Sequence, residues 1–227
     1  MERVETGIEG LDKLVEGGFP EGSVVLISGG PGSGKTTFSS QYIWEGLKKG
    51  ETCVYVTTEE SPEDIKKDVK EFGFDFDKHE GENLHMVYMD PTDSAEFILN
   101  DINELVENEK PERAVIDSLS VLGSRWEKSN KLRSNISNTI KFLKENSTTA
   151  LITAEKQGDV ENKFSKYGIA EFVADGVILL EYISIGQEAF GNLEIRKLRR
   201  TDIEKGKYET IIGNNGIKIG DQTLEMK

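Results

Sequence analysis

The chain has 227 residues, 42 acidic against 28 basic side chains, and a formal net charge of −14. The length suits one large α/β domain, taken here as a single unit over residues 1–227, and so acidic a balance works against general attachment to nucleic acid or to an anionic membrane. A lone cysteine, Cys53, excludes an internal disulfide, the N-terminus Met-Glu-Arg-Val-Glu has no apolar leader, and no apolar run approaches spanning length, so a cytoplasmic protein without membrane insertion is expected.

Residues 6–16 read as a short helix. Thr6 suits the N-cap, and Ile8, Leu11, Leu14 and Val15 recur at helical spacing. Gly17 to Gly22 (GGFPEG) reads as a tight turn. Ser23 to Ser28 is apolar and partly β-branched, as a buried parallel strand should be. The stretch from Gly29 to Thr36 is G-x-x-x-x-G-K-T, with a helix expected from Thr37 to Lys49 and Gly50 at its C-cap. Strand, glycine loop and helix is the context in which backbone N–H groups can turn inward around a phosphate. Gly30, Pro31, Gly32, Ser33, Gly34, Lys35, Thr36 and Thr37 are the expected nucleotide-binding residues. Lys35 would reach the β- and γ-phosphates and Thr36 would offer its hydroxyl to Mg²⁺.

Thr52 to Thr58 reads as a second strand ending in Glu59-Glu60. Ser61-Pro62-Glu63-Asp64 then carries a cap, a proline and two acids, a dense helix-start signal, with Ile65, Val69 and Phe72 on one face. Glu59 and Glu60 thus sit at the C-terminal tip of a strand, the edge where ligands bind in open parallel sheets. They are candidates for activating water, and strand alternation points one of them at the nucleotide more directly. Residues 74–83 read as a polar loop and Leu84 to Met89 as a third strand. His79 and His85 lack metal-ligand spacing and read as structural. Asp93 to Asn108 reads as an amphipathic helix whose apolar residues are Phe97, Ile98, Ile102, Leu105 and Val106, stopped by Lys110-Pro111.

Arg113 to Ser118 is a short apolar strand carrying Asp117, placed to order Mg²⁺ and its waters. A polar loop follows, with Arg125, Trp126, Lys128 and Lys131, then a helix with Leu132, Ile136, Ile140 and Leu143 on one side. Strands are expected at Thr149 to Thr153, Ala174 to Tyr182, Leu193 to Arg199, Tyr208 to Ile212 and Ile217 to Ile219, the last after an Asn214-Asn215-Gly216 hairpin turn. A second polar loop spans Lys156 to Tyr167.

Taken in order, these motifs resemble the RecA-like ATPases, and within them the KaiC-like group. The matching pieces are Thr6-Gly7-Ile8, Gly10-Leu11-Asp12, Gly17-Gly18-Phe19-Pro20, the phosphate loop and Glu59-Glu60-Ser61-Pro62. Ile116-Asp117-Ser118, Tyr167 to Asp175 (YGIAEFVAD) and Lys197-Leu198-Arg199 complete the set. The resemblance implies an α/β fold with a central, mostly parallel twisted sheet flanked by helices and antiparallel strands at the C-terminal end. It implies an Mg²⁺-dependent ATPase in a homohexameric ring, with ATP at subunit interfaces and Lys197 and Arg199 reaching the neighbour's phosphates. Being two apart in a strand, those two cations share a face. The family's autokinase domain has a Ser-Thr pair where this chain has Glu171-Phe172, so self-phosphorylation is not expected. Arg200 stands where the family often has glycine. The guanine-selective Asn-Lys-x-Asp pattern fails at Asn130-Lys131-Leu132-Arg133 and at Asn162-Lys163-Phe164-Ser165, which favours ATP. Two functions fit: a slow ring ATPase acting as a switch for a protein partner, and a recombination accessory binding single-stranded DNA through the loop around Trp126.

Overall fold

A computed structural model describes residues 1–119, 131–156, 165, 170–185 and 188–222. Among the described residues nine strands form one sheet in the order β11-β10-β9-β8-β3-β7-β6-β4-β5. Its strands are β3 (Val24–Gly29), β4 (Cys53–Thr57), β5 (Leu84–Tyr88), β6 (Arg113–Asp117), β7 (Thr149–Glu155), β8 (Gly176–Ile185), β9 (Glu188–Leu198), β10 (Lys207–Gly213) and β11 (Gly216–Gln222). From β8 across to β5 all neighbours run parallel, whereas β9, β10 and β11 continue the sheet antiparallel. The expected class is therefore the observed one.

The central strands β3, β4 and β6 are buried at every position because both sheet faces are covered, and apolar side chains fill most of those positions. On β3, Val25 and Ile27 pack with Phe38, Tyr42, Ile43 and Leu47 of α2 (Lys35–Lys49). Val24 and Leu26 face the opposite core, with Ile98, Leu99, Ile102 and Val106 of α4 (Ala95–Glu109) and Ile136, Ile140 and Leu143 of α5 (Lys131–Glu145). The helix start after β4 is as read: the Ser61 hydroxyl accepts from Asp64 N–H at 3.2 Å, Pro62 opens α3 (Pro62–Lys70), and Ile65 and Val69 are buried.

The structure corrects several readings. The helix expected over 6–16 shrinks to α1 (Leu11–Leu14), because Gly7 and Gly10 take left-handed backbone, φ 72° and 90°. A Cβ at Gly7 would lie 2.5 Å from Glu45 Cβ, so only glycine lets this turn approach α2. Thr6 caps nothing. Its hydroxyl donates to Asp12 Oδ1 at 2.7 Å and accepts from Ile8 N–H. The tight turn at 17–22 contains β2 (Phe19–Pro20), paired antiparallel with β1 (Arg3–Val4). Residues 74–83 are not simply polar: Phe74 and Phe76 are buried, and Phe74 stacks on Trp44. Phe97 leaves the core face of α4 altogether. Ile98, Ile102 and Val106 already fill that face, and Phe97 aligns with Asp101, Glu104 and Asn108 at i, i+4, i+7 and i+11.

Arg113 heads β6 with a side chain fully out of solvent. Its guanidinium forks onto Glu51, donates to Glu5 O at 2.7 Å and Tyr42 O at 3.1 Å, and lies 4.6 Å over the Tyr42 ring. Arg113→Ala strips these acceptors of their donor and leaves a void, so urea denaturation should show a loss of roughly 3 kcal/mol or more. Arg113→Lys should recover only part of it, since an ammonium cannot fork.

Candidate nucleotide site

β3 delivers the chain to Gly29, where any Cβ would stand 2.3 Å from Leu180 O on the neighbouring β8. The loop then turns through Gly32 and Gly34, both left-handed at φ 72° and 91°, and α2 begins at Lys35. This helix has no side-chain N-cap and no acid in its first turn, so its N–H groups and the positive end of its dipole face the pocket. Lys35 Nζ lies across the loop, donating to Gly29 O at 3.1 Å and Gly30 O at 2.8 Å. Pro31, Gly32, Ser33, Gly34, Lys35, Thr36 and Thr37 line a cavity of about 360 Å³ together with Glu59, Glu60 and Asp117.

Asp117 ends β6, the strand next but one to β3. It is almost fully buried, and three hydroxyls fix it. Thr36 Oγ1 and Tyr55 OH each donate to Oδ2 at 3.0 Å, and Thr153 Oγ1 donates to Oδ1. The sequence had singled out Thr36 and Asp117 as a pair but missed Tyr55 and Thr153. Their signal was a hydroxyl inside an otherwise apolar buried strand.

Glu59 and Glu60 follow the tip of β4 beside β6. Thr58 and Ser118 lock the two tips together: Ser118 N–H donates to Thr58 Oγ1, whose own proton goes to Ser118 O, both at 3.1 Å. The Ser118 hydroxyl donates to Glu59 Oε1. Glu60 is held instead by its main chain, with Thr57 Oγ1 donating to its carbonyl at 2.8 Å. Burial raises the Glu60 carboxyl above its ordinary range, and the charges of Asp117, Asp68, Glu59 and Asp64 add to the rise.

Lys197 and Arg199 are not brought to this pocket. Leu198 pairs with Gly176, and Gly176 pairs with Val25 near the start of β3, four residues before the loop departs at Gly29. At ~3.3 Å per residue that is about 13 Å along the sheet. Lys197 Nζ donates to Glu171 O at 3.2 Å and Ala174 O at 2.6 Å around the end of α6 (Ala170–Val173), and Asp175 lies 3.9 Å from Arg199. Burial, then the charge of Arg199, lowers the Lys197 ammonium. Glu171 is buried and takes the Ser165 hydroxyl at 2.5 Å, while Phe172 is exposed. Of the loop offered to DNA, Arg125, Trp126 and Lys128 lie outside the described residues, and Lys131 opens α5.

A parallel sheet with a glycine loop at the tip of a central strand, a lysine and hydroxyl opening the next helix, and a buried carboxylate two strands away define the RecA-like class of P-loop domains. Within that class the chain belongs to the KaiC family of ATPases: the family model "ATPase: KaiC" matches residues 4–224. The chain is 36% identical over 232 residues to circadian clock protein KaiC3 of Synechocystis sp., matching 96% of this chain and 46% of that protein, so it spans about half the length of such relatives. It is 32% identical to UPF0273 protein MK0039 of Methanopyrus kandleri, covering 100% of this chain and 95% of that one. The crystal structure of KaiC-like protein PH0186 from Pyrococcus horikoshii superposes with a TM-score of 0.87 at 39% identity, over 97% of this chain and 99% of that one.

Proposed function

We propose that residues 1–227 form one cytoplasmic ATPase domain that binds Mg²⁺·ATP and slowly hydrolyses it to ADP and phosphate. We take its nucleotide state to be a switch for a protein partner. The observation that carries this is the meeting of Thr36 Oγ1 and Asp117 Oδ2 at 3.0 Å in the mouth of the phosphate loop. Gly30 and Gly32 to Thr37 offer main-chain N–H groups to the phosphates, Pro31 having none to give, and Lys35 supplies a positive charge. The hydroxyl of Thr36 and the carboxylate of Asp117 are hard oxygen donors of the kind Mg²⁺ takes, and Tyr55 and Thr153 keep the carboxylate oriented. A magnesium ion held there would neutralise charge on the β- and γ-phosphates. Glu59, aimed by Ser118, takes the proton of the attacking water, with Glu60 beside it. Among the described residues no helix is long and apolar enough to cross a membrane. Saturable affinity for Mg²⁺·ATP by calorimetry, with phosphate release on turnover, tests the reading. Absence of affinity would overturn it.

Assembly completes the site. Lys197 and Arg199 stand at the sheet edge away from their own loop, so a role at a γ-phosphate needs a second copy, as in the homohexameric ring the family resemblance implies. Two fixed cations there would stabilise charge on the transferring phosphoryl group. With Glu171-Phe172 offering no hydroxyl, the phosphoryl passes to water and not to the chain itself. Arg199→Ala should cut turnover without unfolding the subunit, since the side chain is half exposed. Mixing it with Lys35→Ala subunits should restore part of the activity, because some interfaces then join an intact loop to an intact arginine. No recovery at any mixing ratio would count against action across the interface.

A further inference from the structure

Phe97 is 55% exposed and Tyr88 47% exposed, and the two aromatics share one groove. Both line a groove of about 430 Å³ between α4 and β5, the last strand of the sheet. Met89, Ile98 and Leu105 supply more of its apolar lining. Asp90, Asp93, Asp101 and Glu104 ring it, and among the described residues no Lys, Arg or His lines it. The groove shares no residue with the nucleotide cavity.

The strand beside it offers hydrogen bonds. Met89 N–H donates to Thr57 O on β4 at 2.9 Å. Main-chain groups alternate sides along a strand, so Met86 and Tyr88 turn their N–H and C=O groups away from β4. Among the described residues no strand pairs with that edge. A sheet edge beside an apolar trough is the setting for strand addition, in which main-chain bonds give affinity and alternate side chains give selectivity.

We propose that the α4–β5 groove docks an extended basic segment of a different protein. The segment adds a strand to β5, seats apolar side chains among Met89, Phe97 and Leu105, and sets Lys or Arg against the carboxylates of α4. Charge decides the occupant. Four acids, with no cation lining the groove among the described residues, attract a basic segment and repel a second copy of a chain whose net charge is −14. The chain's own concavity with most cations, at Lys144, Arg199 and Arg200 beside Glu21 and Asp175, lies at the edge proposed above for the ring contact. The docking does not rest on hydrolysis, so it stands or falls separately from the ATPase reading.

The probe is a labelled peptide of about eight residues with alternating Lys and Val, against a control of equal length and charge in which proline replaces alternate valines. The alternating peptide should bind the full chain saturably, and amide exchange should slow at Met86 and Tyr88. Asp101→Lys with Glu104→Lys should weaken binding at least about tenfold, and Leu105→Asp should do the same. Leu105 is half-buried against the core whereas Glu104 is exposed, so unaltered ATP affinity is the check that each variant folds. Equal binding of the proline peptide, or unchanged binding by the charge-reversed variant, would overturn the proposal. Self-association in sedimentation that vanishes in Asp101→Lys/Glu104→Lys would also overturn it, because it would place a second copy in the groove.

Discussion

Lys35→Ala is expected to abolish saturable binding of Mg²⁺·ATP while leaving the subunit folded. The ammonium donates only to Gly29 O and Gly30 O, and among the described residues it forms no ion pair, so its removal orphans no buried charge. Gly30 is half-buried in the loop, and Gly29 O, at the buried end of β3, keeps a second donor in Lys156 N–H at 3.2 Å. The loss on the ligand side is much larger. A hydrogen bond from a charged group to phosphate contributes ~1.5–3 kcal/mol, and one lysine reaching two phosphates makes two of them. Losing both lowers affinity by roughly 10²–10⁴-fold. Calorimetry measures that directly. Thermal melting without nucleotide should be unchanged, whereas the upward shift that ATP gives the parent protein should vanish.

What could be read from sequence depended on whether the physics was local. The phosphate loop was legible because phosphate binding fixes glycine, lysine and hydroxyl at set spacings, and its strand and helix follow from unbroken apolar and helical periodicity. Asp117 was legible from its place at the end of an apolar strand. The N-terminal segment misled because Ile8, Leu11, Leu14 and Val15 are all buried, as a long helix would require, yet left-handed backbone at Gly7 and Gly10 confines the helix to Leu11–Leu14. Phe97 misled because apolar character alone cannot say which of two adjacent stripes on α4 meets the sheet. The hydroxyl scaffold of Tyr55, Thr58, Ser118 and Thr153 was invisible because it joins residues 36 to 62 positions apart. The position of Lys197 and Arg199 opposite their own loop follows from the strand order and the antiparallel return of β9, which no local pattern encodes.

The second large effect is expected from Glu59→Gln: ATP affinity within about threefold of the parent and hydrolysis slowed by roughly 10²-fold or more. Glutamine keeps an oxygen for the Ser118 hydroxyl, so the lock between the β4 and β6 tips survives and only the proton acceptor is lost. Glu60 competes for the same role, since a raised carboxyl is the stronger base near neutral pH. Geometry favours Glu59, whose side chain is held by the residue that follows Asp117, whereas the Glu60 bond we find from Thr57 goes to its main chain. Stability separates the two. Because folding raises the Glu60 carboxyl, its ionisation costs stability as pH climbs through the carboxylate range, and the penalty persists above it. Glu60→Gln should therefore stabilise the apo protein at neutral pH and give no gain below about pH 4, where the acid is protonated in both states. Full turnover in Glu59→Gln, with loss in Glu60→Gln, would move the base to Glu60 and leave the Ser118 contact as scaffold.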